Sequence, residues 1–165
     1  MDDKDIVLIG ITGCGKTTIG NILAQKLKLP FYDVDLYIEN KQGKSISDLF
    51  IQGEPYFRKI ESLALEEIVN IGERKVISTG GGVVKTQKNM ELLKGNSIVV
   101  FLNRNIEEIV GDIDVTSRPL LSKDLSKIYE LYEQRLPLYK KHCDYEIKNK
   151  ESIKETIDEI LYILR

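Results

Sequence analysis

Gly10-Ile11-Thr12-Gly13-Cys14-Gly15-Lys16-Thr17 fits the pattern G-x-x-x-x-G-K-[ST] without a gap. Glycines at these places let backbone N–H groups wrap a chain of phosphates without interference from Cβ atoms. A helix starting at the lysine aims its positive end at the same oxygens. Lys16 then reaches the β and γ oxygens, and the hydroxyl of Thr17 can ligate Mg²⁺. Gly13, Cys14, Gly15, Lys16, Thr17 and Thr18 are the expected nucleotide contacts, with ATP or GTP as the phosphate source. The motif says nothing about the acceptor, because motors, switches and kinases all use it.

Phe31-Tyr32-Asp33-Val34-Asp35 reads as a strand ending in two carboxylates at alternate positions, so both side chains are expected on one face. One carboxylate near Mg²⁺ and one on an acceptor hydroxyl would position a nucleophile and take its proton. A solvated strand end is the plainer reading. Thr79-Gly80-Gly81-Gly82 either brings bare backbone up to a ligand or makes a loose turn. With 18 lysines against 6 arginines, each arginine carries weight, since only a planar fork grips carboxylate or phosphate through parallel bonds. Arg58 and Glu61 share a helical face and predict a surface ion pair of small consequence. Arg135 stands just before Leu136-Pro137, where the proline is expected to break the helix, and reads first as a partner of the helix dipole. Cys14, between two glycines at a helix start, is either an activated thiolate or a small residue filling a tight loop.

The elements that must carry these residues alternate in type. Ile6-Ile9, Phe31-Val34, Val76-Ser78, Ile98-Leu102 and Tyr145-Ile147 read as strands, short and mostly β-branched or aromatic. Between them, Thr17-Leu27 and the stretch after Pro55 place apolar residues at helical spacing, with Gly72 as a helix end. Ser152-Ile153-Lys154-Glu155 is a capping box that opens a final helix. Strands separated by helices predict a parallel five-stranded sheet with helices on both faces. Residues 111–124, with Arg118-Pro119-Leu120-Leu121, lack periodicity and read as a long mobile loop with a function, the plainer reading being a surface excursion.

At 165 residues, 42% hydrophobic and 30% charged, the chain predicts one globular domain over 1–165. A net charge of −2 gives no general attraction to nucleic acid or membrane. No apolar run reaches the roughly 20 residues of a membrane span, and the acidic start is unlike a secretory signal, so a cytoplasmic location is expected. Cys14, Cys143 and the lone His142 are too few for a disulfide framework or an ordinary His/Cys zinc site, so any metal is expected on oxygen ligands.

Taken together, Gly-x-x-Gly-x-Gly-Lys-Thr-Thr at 10–18, Asp-x-Asp at 33–35, Gly-Glu-x-x-Phe-Arg at 53–58, Gly-Gly-Gly at 80–82, Arg-Pro-Leu-Leu at 118–121 and Arg-x-Pro-Leu-Tyr at 135–139 resemble the shikimate kinase family in type, order and spacing. The resemblance runs from Ile6 to about Ile163. It implies a three-layer P-loop fold like that of nucleoside monophosphate kinases, acting as a monomer on ATP and shikimate with Mg²⁺. It implies Asp35 as base on the acceptor hydroxyl and Asp33 organising Mg²⁺ through water, beside Thr17. Arg58, Arg135 and the backbone of Gly80, Gly81 and Gly82 would bind shikimate, and Arg118, on a mobile lid over about 111–124, would neutralise charge on the transferring group. Gly111 departs from the family, whose members commonly have there an arginine stacked on adenine. The alternatives are another small-molecule kinase, such as a gluconate kinase, and a nucleotide-binding regulatory module without catalysis.

Overall fold

Uninterrupted apolar runs become strands where both sides of a sheet are covered. In a computed structural model describing residues 3–112, 125–149 and 152–165, all five residues of β1 (Asp5–Ile9) and all three of β3 (Val76–Ser78) are buried. β4 (Ser97–Asn103) is buried up to its last residue, while β2 (Phe31–Asp33) and β5 (Tyr145–Lys148) at the edges are more open. The sheet runs β2-β3-β1-β4-β5, and every neighbouring pair is parallel. Leu8 and Asp33 both stand beside Ser78, so β1, β2 and β3 deliver their following loops to one edge. The five strands match the expected ones to within a residue or so at each end.

Helix α1 (Lys16–Leu27) packs on β3, β2 and β1 and against the last helix, α8 (Ile153–Ile163). On the other face, α5 (Gln87–Asn96) and α7 (Leu125–His142) pack on β4, and α5 meets α4 (Glu54–Val69). Two short helices, α2 (Val34–Gln42) and α3 (Ile46–Ile51), lead into α4, and α6 (Ile106–Gly111) follows β4. Pro55 lies in the first turn of α4, where its missing N–H costs nothing. The Ser152 hydroxyl caps α8 by accepting from the amide of Glu155, as the capping box predicts. Among the described residues no helix is long and apolar enough to cross a membrane.

Three expectations need correction. The strand of Phe31 stops at Asp33, because its carboxylate accepts the amide of Leu36 at 3.1 Å and caps α2, so Asp35 lies in a first helical turn. Pro137 does not end its helix, which continues to His142. The carbonyl of Glu133, left without its usual partner, belongs to an exposed residue, and the turn after the proline is anchored by fully buried Tyr139 stacked on Phe101. Helix α4 ends at Val69 with Asn70 as its cap, ahead of Gly72. Of the expected lid, Gly111 closes α6 and Asp112 caps it; Arg118 and the rest of that segment lie outside the described residues.

At the edge of the sheet opposite the motif loops, Lys75 and Asp5 form a buried ion pair at 2.8 Å. The Asp5 carboxylate also accepts the Lys75 amide at 3.1 Å, and the Lys75 ammonium donates to the carbonyls of Ile71 and Glu73.

Candidate functional site

The loop from Gly10 to Gly15 leaves buried β1 and turns into α1, with Gly13 at φ 87° and Gly15 at φ 99°, a region that side chains rarely adopt. It borders a cavity of about 430 Å³, lined also by Lys16, Thr17, Thr18, Asp33, Asp35, Thr79 and Gly81. The Lys16 ammonium is nearly buried and donates to the carbonyls of Gly10 at 2.7 Å and Ile11 at 3.1 Å. Cys14 is fully buried, and a Cβ on Gly10 would lie 2.7 Å from its sulfur, so the side chain fills the loop from behind. Burial and close packing support the space-filling reading of Cys14, while the Lys16 ammonium also stands 3.7 Å from its sulfur. Both cysteines are free.

Asp33 and Asp35 do reach this cavity, though by a cap and a helical turn rather than by strand alternation. The second oxygen of Asp33 accepts from the Thr17 hydroxyl at 2.6 Å, which puts two oxygen donors side by side at the start of α1. Burial, with the Asp33 charge next in importance, holds the Asp35 carboxyl above the ordinary carboxylate range, against the pull of Lys16 and Arg58. A carboxyl so placed is a better proton acceptor than a solvated one.

Arg58 and Glu61 are not the surface pair expected. Glu61 is completely buried and accepts from Arg58 Nη1 at 2.8 Å, while Glu54 accepts from Nε and Nη2 at 3.3 Å. The guanidinium carbon stands 5.2 Å from the ring centre of Phe57 and 5.7 Å from that of Phe50, which fixes the fork from its apolar side. Burial pushes the Glu61 carboxyl up, more than Arg58 draws it down, and its Oε2 has no hydrogen-bond partner among the described residues.

The glycine run joins these groups, and the loose-turn reading fails on contact distances. A Cβ on Gly80 would lie 3.0 Å from Asp35 Oδ1 and 3.1 Å from Glu61 Oε2. On Gly81 it would lie 3.0 Å from the Thr12 hydroxyl and 3.5 Å from Arg135 Nη1, and on Gly82 only 2.1 Å from Arg58 Nη2. Bare backbone is thus what lets Arg58, and more mildly Asp35, pack against the run, with Arg135 in ordinary contact beside them. Arg135 lies mid-helix in α7, so the dipole-partner reading does not hold. One turn later the Tyr139 hydroxyl donates to the Gly81 carbonyl at 2.5 Å, and burial raises its pKa strongly.

Sequence reasoning quoted Tyr139 within a motif without giving it a role, gave none to Arg104 and passed over Asn149. Asn149, at the end of β5, donates from Nδ2 to the Cys14 carbonyl at 2.7 Å and is oriented by the Thr156 hydroxyl at 3.1 Å. Arg104 lines the phosphate-side cavity. For Tyr139 the available signal was its place four residues after Arg135, on the same helical face.

Comparison with known proteins identifies the family. The family model described as shikimate kinase matches residues 12–165. A shikimate kinase of Clostridium botulinum (strain Eklund 17B / Type B) is 49% identical over 159 residues, covering 96% of this chain and 96% of its own. The shikimate kinase of Acinetobacter baumannii, solved in complex with shikimate, superposes with a TM-score of 0.91 at 33% identity, covering 99% of this chain and 93% of its own. A gluconokinase from Sinorhizobium meliloti reaches a TM-score of 0.57 at 16% identity, over 98% of this chain and 97% of its own, a likeness of fold alone. With a matched family model over nearly its whole length and a relative at 49% identity, the chain belongs to the shikimate kinase family.

Proposed function

We propose that this chain transfers the γ-phosphoryl group of Mg·ATP to the 3-hydroxyl of shikimate, giving ADP and 3-phosphoshikimate on the route to chorismate and aromatic amino acids. The observation that carries the reading is the convergence of Asp35, Arg58 and Arg135 on Gly80–Gly82, at the border of the loop built for phosphates. Two guanidinium forks suit the carboxylate and hydroxyls of a small acid, and the carboxylate of Asp35 suits the hydroxyl that reacts. Glu61 and Glu54 act through Arg58, holding its fork in place.

In the step itself the acceptor oxygen attacks the γ phosphorus, the bond from that phosphorus to the β–γ bridging oxygen breaks, and ADP leaves. Asp35 takes the hydroxyl proton. Lys16 exchanges its loop carbonyls for β and γ oxygens, and the amides at the start of α1 stabilise the charge on the equatorial oxygens. The neighbouring oxygens of Thr17 and Asp33 suit a hard divalent cation, which Thr17 would hold directly and Asp33 through water. Mg²⁺ so bound would neutralise phosphate charge. Arg118, on a lid over 111–124 of a single domain, remains the proposed cation for the transferring group.

The test is ADP release with shikimate, with gluconate and with no acceptor. Release stimulated by shikimate alone is expected. Stimulation by gluconate would make the chain a different small-molecule kinase, and stimulation by neither would leave a nucleotide-binding module.

A further inference from the structure

β4 delivers Arg104 to the same sheet edge as the phosphate loop, at the turn into α6. Its Nη1 donates to the Gly13 carbonyl at 3.2 Å, and its side chain lines the cavity together with Lys16 and Thr17. The fork is also held from α6, where Nη2 pairs with Asp112 and Nε lies 3.6 Å from Glu108. α6 itself leans on the loop, since a Cβ on Gly13 would lie 3.0 Å from Ile109 Cγ2. The loop is therefore gripped on two flanks, at the Gly13 carbonyl by Arg104 and at the Cys14 carbonyl by Asn149.

We propose that Arg104 is a nucleotide-binding residue, giving a phosphate oxygen of the nucleotide the N–H groups that now face Asp112, so that Asp112 competes with nucleotide and sets how tightly it is held. The proposal rests on the reading of this cavity as the phosphate site. Its chemistry follows from exposure: Arg104 is only 23% exposed, whereas Asp112 is 65% exposed. An ion pair with so exposed a carboxylate is weak and easily exchanged. A fork on phosphate is charge-assisted and can be bidentate, so phosphate wins the exchange while Nη1 keeps its hold on Gly13.

Binding of Mg·ADP to the full chain by calorimetry, with steady-state kinetics alongside, tests this. Arg104→Ala is expected to weaken ADP about tenfold or more and raise KM for ATP in step, with KM for shikimate unchanged within about twofold. Asp112→Asn should tighten ADP by about 2- to 5-fold, and this gain should vanish when Arg104→Ala is also present. A purely structural brace would instead lower Tm and worsen both substrates together, overturning the proposal. So would ADP affinity within twofold of wild type in Arg104→Ala, or a gain from Asp112→Asn that persists without Arg104. If Arg104→Ala does not fold, Arg104→Lys, which keeps the charge and loses the fork, carries the same comparison. A wild-type chain that fails to bind Mg·ADP would sink the cavity reading itself, whereas normal wild-type binding with an unaffected Arg104→Ala removes only Arg104.

Discussion

Gly82→Ala tests the acceptor side without touching a charged residue. Gly82 has φ −97° and ψ 5°, so alanine fits the backbone and the fold should survive. Its Cβ would, however, lie 2.1 Å from Arg58 Nη2, 2.7 Å from Cζ and 2.8 Å from Nη1, where ordinary contact begins at 3.4 Å. The guanidinium must therefore retreat by about 1.3 Å to reach ordinary contact, away from buried Glu61 and Phe57, which are held in the core side of α4. A displacement of about 1 Å in a substrate-positioning group can cost on the order of 100-fold, so kcat/KM for shikimate should fall by about 10- to 100-fold. KM for ATP should stay within about twofold, because Arg58 lies outside the phosphate-side cavity. Gly81→Ala, whose Cβ meets nothing closer than 3.0 Å, should be milder. Steady-state kinetics with each substrate varied in turn, after a circular-dichroism check of folding, decides it. Shikimate kinetics unchanged in a folded Gly82→Ala enzyme would refute the placing of Arg58 on the substrate.

Other substitutions probe the remaining groups. Arg135→Lys keeps charge but loses the fork, and kcat/KM for shikimate should drop about 10- to 150-fold with KM for ATP little altered; kinetics within twofold of wild type would remove Arg135 from the site. Asp35→Asn should lower kcat by roughly 10²–10⁴ and yet not lower Tm. The folded carboxyl titrates above the ordinary 3.8, so stability is present below that value and is lost as pH rises through the raised one, and at neutral pH the asparagine is relieved of that cost. A fall in the Tm of Asp35→Asn at pH 7 would contradict the burial argument. Lys16→Ala should cut turnover by at least about 10² and also lower Tm, since the carbonyls of Gly10 and Ile11 lose their donor. Alkylation of buried Cys14 should be slow with or without Mg·ATP, and rapid labelling would show that the loop opens.

The parts of the site that lie close together in the chain were legible from residue types, and the parts assembled across the fold were not. Gly10 to Thr18 states its own chemistry because one strand, one turn and one helix suffice to build it. Asp33 and Asp35 were found for a mistaken geometric reason, because a short polar side chain that caps a helix and one that ends a strand look alike in sequence. Arg58–Glu61 was undervalued because spacing cannot say whether a helical face meets solvent or the core, and here burial turned a weak pair into a fixed one. Pro137 misled because propensity yields to packing, which Tyr139 supplies one turn later. Arg104 and Asn149 act on the carbonyls of Gly13 and Cys14 from 91 and 135 residues away, a relation no local pattern encodes.

The ion pair of Asp5 and Lys75 bears on the substrate pocket from the far end of the sheet. Parallel strands advance in step, so placing Lys75 beside Asp5 also decides that Ser78 stands beside Leu8 and that Thr79 bonds the Leu8 carbonyl where the glycine run begins. A slip of one residue would shift Gly80–Gly82 along the strand by about 3.3 Å and turn the buried faces of β3 inside out. The error would exceed the clearance between Gly82 and Arg58. Alignment of the acceptor groups is thus calibrated four residues upstream of Thr79, roughly 13 Å along the chain, by a lysine and an aspartate at the other end of the strands.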